Sequence, residues 1–482
     1  MPRSHRLFAV LFLATIFGDL AFSSATAQEE KRKFKRRDDS SAEDLRKQLQ
    51  VVPEVGFDQG GAAVLYAALR ETPGGGKTSG GKGGKGGGGF GGGGATPLVP
   101  SGFGVRFYSQ LAANYKKPDW IALPWRTGLD CQLGKETAER LHAFSLKLRL
   151  CMRQSVPADD VRLDADKLRD ALAGAKQVGG KGGRNEKFNE SSDKPFEWGK
   201  AEAVPTIVQM LQTENAPIRE LMVELLRNVK GKDASVALAQ RAVFDLSPEV
   251  REKAVEALES RPTKEFQQVL LDAMRWPWAP AADRAAETIV ALQLKGAVPD
   301  LVQLLQEPNP RIPFTNESKT KKGGASYLIR EVVRVNHLSN CCLCHALSTS
   351  KDDLVRGRIP VPGEDPPPQY YQERTGMFVR ADITYLRQDF SVVQPVANSG
   401  KWPGFQRFDY LLRTRKATNA EVKLFDGLQK EKKLGTPYTQ RDAILFALRE
   451  VTGRDLGSRP EGWLQLLNPI EGKRDPKEEK QP

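Results

Sequence analysis

Cysteine and histidine are scarce: the 482-residue chain carries five Cys and four His. Five thiols are too few to build a disulfide scaffold of this length. Four histidines leave no room for a His-rich metalloenzyme. Long apolar runs are also lacking. Hydrophobic residues make up 39% and aromatics 8%, enough for a buried core but low for a membrane-embedded chain. Glycine is plentiful, 44 residues, but clumped, so part of the chain cannot bury enough surface to pack. These features exclude an integral membrane protein, a knottin-like toxin and a collagen-like fibre. The length suggests about three folded units at about 150 residues each.

The N-terminus reads as a secretory signal. Arg3 and Arg6 precede an apolar run from Leu7 to Phe17, which Gly18 and Asp19 end. Ala25-Thr26-Ala27 has the small-residue pattern of a cleavage site, so cleavage is expected near Ala27. The run is too short to cross about 30 Å of hydrocarbon. The expected location is the periplasm or cell envelope, without a transmembrane segment.

The mature chain carries the excess charge of an overall +13 protein. Lys31 to Arg37 is a basic cluster that reads as a solvated tail, with weak contact to an anionic surface as the other reading. It lacks interleaved aromatics, so no specific nucleic-acid partner is expected. Composition divides the rest: a basic, short-helical segment (28–73), a Gly-rich linker (74–97), a helical N-terminal domain (98–176), a Gly/Lys-rich linker (177–198), repeats (199–310), a C-terminal region (311–467) and a charged tail (468–482). Gly76-Lys77-Thr78 is not a phosphate-binding loop, because Glu71 stands where its first glycine belongs. Helices are expected over Ser41 to Gln50, over Gly61 to Leu69 and over Thr137 to Met152, the last with Leu141, Phe144, Leu148 and Cys151 at helical spacing. Cys131 and Cys151 are either a disulfide or two buried thiols.

From Lys200 to Pro310 the sequence repeats at about 31 residues. One phrase opens the stretch, Val204-Pro205-Thr206-Ile207-Val208-Gln209, and returns near its end as Val298-Pro299-Asp300-Leu301-Val302-Gln303. Between these lie segments headed by Pro217, Pro248 and Pro280; the first two carry Arg219 and Arg251 shortly after the proline. Proline at a helix start loses no needed N–H and presets φ. Paired helices at such a period stack into a solenoid, and the pattern resembles bacterial HEAT-like repeats. It fits a protein-binding scaffold or a spacer packed against the chain's other parts.

Chemistry concentrates in Cys341-Cys342-Leu343-Cys344-His345, a C-x-x-C-H motif. That order suits covalent attachment of haem c: two thioethers from Cys341 and Cys344, and His345 as the proximal iron ligand. On one helical turn the two thiols would face the haem vinyls together. On a continuous helix His337 would lie about 12 Å from His345, which excludes it as the opposite ligand unless the helix breaks. Met377 is the remaining methionine downstream and the preferred distal ligand, with a five-coordinate iron as the alternative. Two other readings stay open: zinc on His337, Cys341, Cys344 and His345, or a disulfide without cofactor. No Ser/His/Asp or paired-carboxylate constellation stands out, so no enzymatic reaction is assigned.

Downstream, Phe378 to Gln394 has strand composition, and Asp442 to Thr452 is an amphipathic helix closed by Gly453. The repeat phrases, Val335-Asn336-His337-Leu338 with the C-x-x-C-H motif, and Phe378-Val379-Arg380-Ala381-Asp382-Ile383-Thr384-Tyr385-Leu386-Arg387-Gln388-Asp389-Phe390-Ser391 resemble exported HEAT-repeat proteins of planctomycete-type bacteria. The likeness covers roughly positions 100 to 467, outside the linkers. It implies a secreted, repeat-bearing, cytochrome-like protein and no defined reaction. The expected fold is mostly α: a short HEAT-like α-solenoid, flanked by a helical N-terminal unit and a mixed, partly extended C-terminal segment. The expected partners are a protein gripped by the repeats and a redox partner.

Overall fold

The computed structural model describes residues 35–54, 135–158, 160, 162–176, 194–315, 327–340, 345–348, 356–359, 378–384, 390–431 and 438–467. The signal segment, the first Gly-rich linker, residues 177–193 of the second, Cys131 and the expected helix over Gly61 to Leu69 lie outside these residues. The architecture is mostly helical with a small antiparallel sheet. Among the described residues, no helix is long and apolar enough to cross a membrane.

The expected helices over Ser41 to Gln50, Thr137 to Met152 and Asp442 to Thr452 form, and local chemistry sets their ends. Helix α1 (Ala42–Gln50) starts at Ser41, whose hydroxyl accepts the Asp44 N–H. Helix α2 (Lys135–Gln154) buries Phe144, Leu148 and Cys151. Helix α3 (Ala165–Ala173) is capped by Asp164. The repeat region forms α4 (Val204–Leu211), α5 (Ala216–Asn228), α6 (Lys232–Phe244), α7 (Pro248–Leu258), α8 (Thr263–Ala273), α9 (Ala279–Ala291) and α10 (Val298–Leu304). Proline sits at the first or second position of α4, α5, α7, α9 and α10, where it favours the first turn.

The chain divides into two compact units. In the one formed by residues 41–266 and 308–436, helices touch in two ordered rows. The first row runs α2, α4, α6 and the second α3, α5, α7. The stretch read as a separate N-terminal domain thus supplies a helix pair to the same succession. Leu148, Ile207, Ile218, Leu226, Leu238 and Val250 are fully buried between these helices. Each such side chain contributes about 1.5–3 kcal/mol. Arg219 on α5 reaches across to Asp245, just past α6, with Nε 2.9 Å from Oδ2. Arg251 on α7 donates to the Asp245 and Leu246 carbonyls at 3.0 and 3.3 Å. The arginines that follow Pro217 and Pro248 therefore anchor on oxygen atoms at the end of α6.

This unit also holds the strands. β1 (Phe314–Thr315), β2 (Tyr327–Asn336), β7 (Phe405–Lys416) and β6 (Phe390–Pro395) make an antiparallel sheet in the order β1-β2-β7-β6. β3 (His345–Ser348), β5 (Phe378–Thr384) and β4 (Arg356–Arg358) make a second, in the order β3-β5-β4. The strand-like stretch from Phe378 to Gln394 is thus split between two sheets. Helix α11 (Asn419–Lys430) follows, with a reciprocal capping box between Thr418 and Glu421.

The other unit gathers residues 1–40, 267–307 and 437–482. Here α9 and α10 pack against α12 (Thr439–Thr452), and α10 against α13 (Pro460–Leu467). Gly453 ends α12 with φ +67°, a left-handed cap that closes on the Arg449 carbonyl at 2.8 Å. The described end of the basic segment read as a solvated tail, Lys35 to Arg37, is docked in this unit. Lys35 pairs with Glu450 at 2.7 Å, and Arg37 with Asp283 at 2.9 Å. Asp38 receives Arg284 Nε at 2.9 Å, with both side chains buried. Glu287 accepts the backbone N–H groups of Arg37 and Asp38. Acidic side chains on α9 and α12 offset the charge that composition alone assigns to solvent.

Candidate functional site

Asp409 organises the candidate site from the middle of β7. Cross-strand register sets Val335 of β2 on one side of it and Ser391 of β6 on the other. Ser391 Oγ donates to Asp409 Oδ1 at 2.5 Å, and Arg407 Nε donates to the same oxygen at 2.8 Å. His337 Nδ1 lies 2.9 Å from Asp409 Oδ2. Arg407 also donates to the Gln209 carbonyl and Oε1, both at 3.0 Å, which ties the sheet to the end of α4. Gln212 Nε2 donates to Ser391 Oγ at 3.2 Å. Burial raises the proton affinity of Asp409. The Arg407 guanidinium, His337 and the hydrogen bonds from His337 and Ser391 outweigh it, and hold the carboxyl well below the usual carboxylate range.

The opposite face of the same strands is apolar with polar inserts. Phe390 stacks between Phe244 and Tyr410, at centroid distances of 5.1 and 4.8 Å. The Tyr410 hydroxyl reaches the Leu49 carbonyl at 3.0 Å and Gln394 Oε1 at 2.8 Å. Burial pushes its phenol up to about 12.

Asn336 turns the chain at the end of β2. Its Oδ1 accepts the N–H groups of Leu338 and Ser339 at 3.0 and 3.3 Å, and its Nδ2 donates to Gln406 Oε1 at 2.7 Å. Asn340 Nδ2 closes the turn on the Asn336 carbonyl at 2.9 Å. Asparagine suits this position because its short amide satisfies nearby backbone donors. His337 N–H donates to the Arg407 carbonyl at 2.9 Å, so the residue is held through both backbone and ring. Its side chain remains about 30% exposed.

The turn leads into the cysteine motif. Cys341, Cys344 and Met377 lie outside the described residues. His345 is the first residue of β3 and pairs with Thr384 of β5, with a register shift immediately after it. One sequence expectation is corrected here. His337 and His345 do not share a continuous helix: a strand ends at Asn336, a turn follows, and a strand begins at His345. The β-branched residues Ile329, Val332, Val333 and Val335 favour the strand. The helical separation that excluded His337 as an iron ligand therefore does not apply.

Sequence reasoning missed Asp409, Arg407 and Ser391. The available signal was a charge inside an apolar strand, Phe408-Asp409-Tyr410, which must find partners if buried. Ser391, Asp409 and His337 are the residue types of a hydrolytic triad but not its geometry. The serine proton goes to the carboxylate, not to the imidazole, so no activated nucleophile results. Cys151 is a buried free thiol, with Sγ 3.5 Å from the Ala171 carbonyl and its pKa raised by burial. It is inert packing rather than a reactive group. Among the described residues, no three His, Cys, Asp or Glu side chains group as a metal site.

By sequence order alone, the motif carries the residue types that would hold a haem c. Two thiols and an imidazole stand in the required order, and the neighbouring His337 has a ring oriented by a carboxylate, the support that metal-bound histidines commonly have. No protein family, no curated protein and no solved structure matches the chain.

Proposed function

We propose that the protein is an exported, repeat-bearing scaffold that carries one covalently bound haem c and acts in electron transfer or redox sensing. Cys341 and Cys344 hold the haem and His345 ligates the iron. When bound, the haem supplies one-electron chemistry. The chain's own residues would attach it through Cys341 and Cys344 and ligate its iron through His345. The observation that carries this reading is the C-x-x-C-H order in a chain with a secretory-type N-terminus, since haem of this kind is attached outside the cytoplasm. The two ordered rows of helices support a HEAT-like solenoid, whose role is to grip a protein partner, with a redox partner reaching the haem. The Gly/Lys-rich linkers add weak contact with an anionic surface.

Export from a host with haem-c maturation machinery tests the reading. The expected product has a sharp Soret band and keeps one haem's mass after denaturation. A colourless product without that mass would remove the reading, provided a control cytochrome matures in the same cells. One observation favours a second reading. The motif is bracketed by a strand on each side, and His337 is tied to a carboxylate, a setting that also suits zinc on His337, Cys341, Cys344 and His345. Stoichiometric zinc in a colourless product would establish it.

A further inference from the structure

We infer that an open apolar groove formed by α2, the loop before α3 and the end of α4 is the docking site of a protein partner, and that the partner offers a helical segment with large apolar side chains beside Asp or Glu. The inference rests on the reading of the helical rows as a protein-binding scaffold.

The groove holds about 460 Å³. Arg149, Met152 and Arg153 line it from α2, Val156 and Leu163 from the loop that leads to α3, and Gln209 and Met210 from α4. Arg149, Met152 and Arg153 stand three and four positions apart, so they share one face of α2. Met152, Leu163 and Met210 are half-buried and Val156 is 38% exposed, so the floor is apolar and open to solvent. Methionine suits such a floor, because its unbranched thioether repacks around different side chains. A site for a small molecule closes over most of its ligand. Here Arg153, Val156 and Gln209 are all exposed, so the occupant must supply the cover itself, as a protein segment does.

Charge selects the occupant. Both charged residues that line the groove are arginines. The described carboxylates of the neighbouring loop are engaged: Asp160 pairs with Arg162 at 3.0 Å, and Asp164 accepts the Asp166 and Lys167 N–H groups that begin α3. An acidic segment is therefore attracted and a basic one repelled. A helix laid in a groove of this kind inserts apolar anchors at three- and four-residue spacing and sets its charges at the edge. The groove is also continuous with the candidate site. Gln209 receives two hydrogen bonds of 3.0 Å from Arg407, whose Nε donates to Asp409. A partner seated here is joined to the Asp409 network through Gln209 and Arg407.

Three fluorescent peptides of about 15 residues, the length at which an isolated helix begins to hold, test this on the full-length chain. They share leucines at helical spacing, one of them photoreactive, and differ only in the residues beside the leucines, which are Glu, Gln or Lys. The Glu peptide should bind about tenfold or more tighter than the Lys peptide at physiological salt. Arg153→Glu, at an exposed position, should reverse that order. Crosslinks from the Glu peptide to the wild type should fall on Met152, Val156 and Met210. Equal binding of the Glu and Lys peptides, an order that Arg153→Glu leaves unchanged, or no binding at all would overturn the inference. Crosslinks on other helices of the two rows would overturn it while leaving the scaffold reading standing. Crosslinks confined to the Gly/Lys-rich linkers would remove both.

Discussion

In the helical layers Arg219 meets the Asp245 carboxylate and Arg251 a pair of carbonyls; in the sheet the Asp409 carboxylate gathers the side chains of a serine, an arginine and a histidine. Arg219 reaches Asp245, and Arg251 reaches two backbone carbonyls, each as a tie between neighbouring helices. Asp409 instead collects Ser391, Arg407 and His337 from three neighbouring positions of the sheet. The first arrangement fixes the distance between layers. The second fixes the direction of one imidazole. A network that specifies direction is more than packing needs, and it lies next to the cysteine motif.

Substitutions separate the two regions, and among the charged ties the largest effect is expected in the sheet. Asp409→Asn leaves the half-buried Arg407 without its counter-charge and breaks a buried network, and should cost about 3 kcal/mol by urea unfolding. Leu226→Ala, in the helical core, should cost about 3 kcal/mol through lost burial and the cavity it leaves. Arg219→Met should cost less, about 2 kcal/mol, because Asp245 keeps the Ser247 N–H at 2.9 Å and Arg241 at 4.0 Å. Equal losses for Asp409→Asn and Arg219→Met would erase the contrast between the regions.

Acid sharpens the same comparison. The native pKa of Asp409 is depressed, so its contribution is complete above the ordinary Asp value of about 4 and is lost as pH falls toward the depressed value. Unfolding curves taken through this range should show a steeper acid loss in the wild type than in Asp409→Asn. Parallel curves would mean that the carboxylate is not charged in the native sheet. The smallest effect belongs to the helix end: Gly453→Ala, at φ +67°, should cost about 1 kcal/mol in thermal unfolding.

The repeat region was legible because its signals are local. Proline at each helix start and apolar residues on one helical face fix α4, α5 and α7 without reference to anything distant. The same signals did not reveal that α2 and α3 continue the succession, since that depends on which faces meet. The docked basic segment was misread for a related reason. Lys35 and Arg37 find Glu450 and Asp283 far along the chain, and composition carries no record of such partners. At the candidate site the cysteine motif and both histidines were visible as residues. The frame was not. Helical spacing was assumed around His337, whereas the alternation of Val333, Arg334 and Val335 belongs to a strand that pairs with β7. Asp409 was hidden because a buried carboxylate declares its role only through the residues that the sheet sets beside it.

The most direct test of the central claim is the absorbance and intact mass of the exported chain after denaturation. The account predicts a Soret band and one haem's mass retained, both lost when Cys341 and Cys344 are replaced by Ser. A protein without haem mass, produced beside a control cytochrome that does mature, would contradict it.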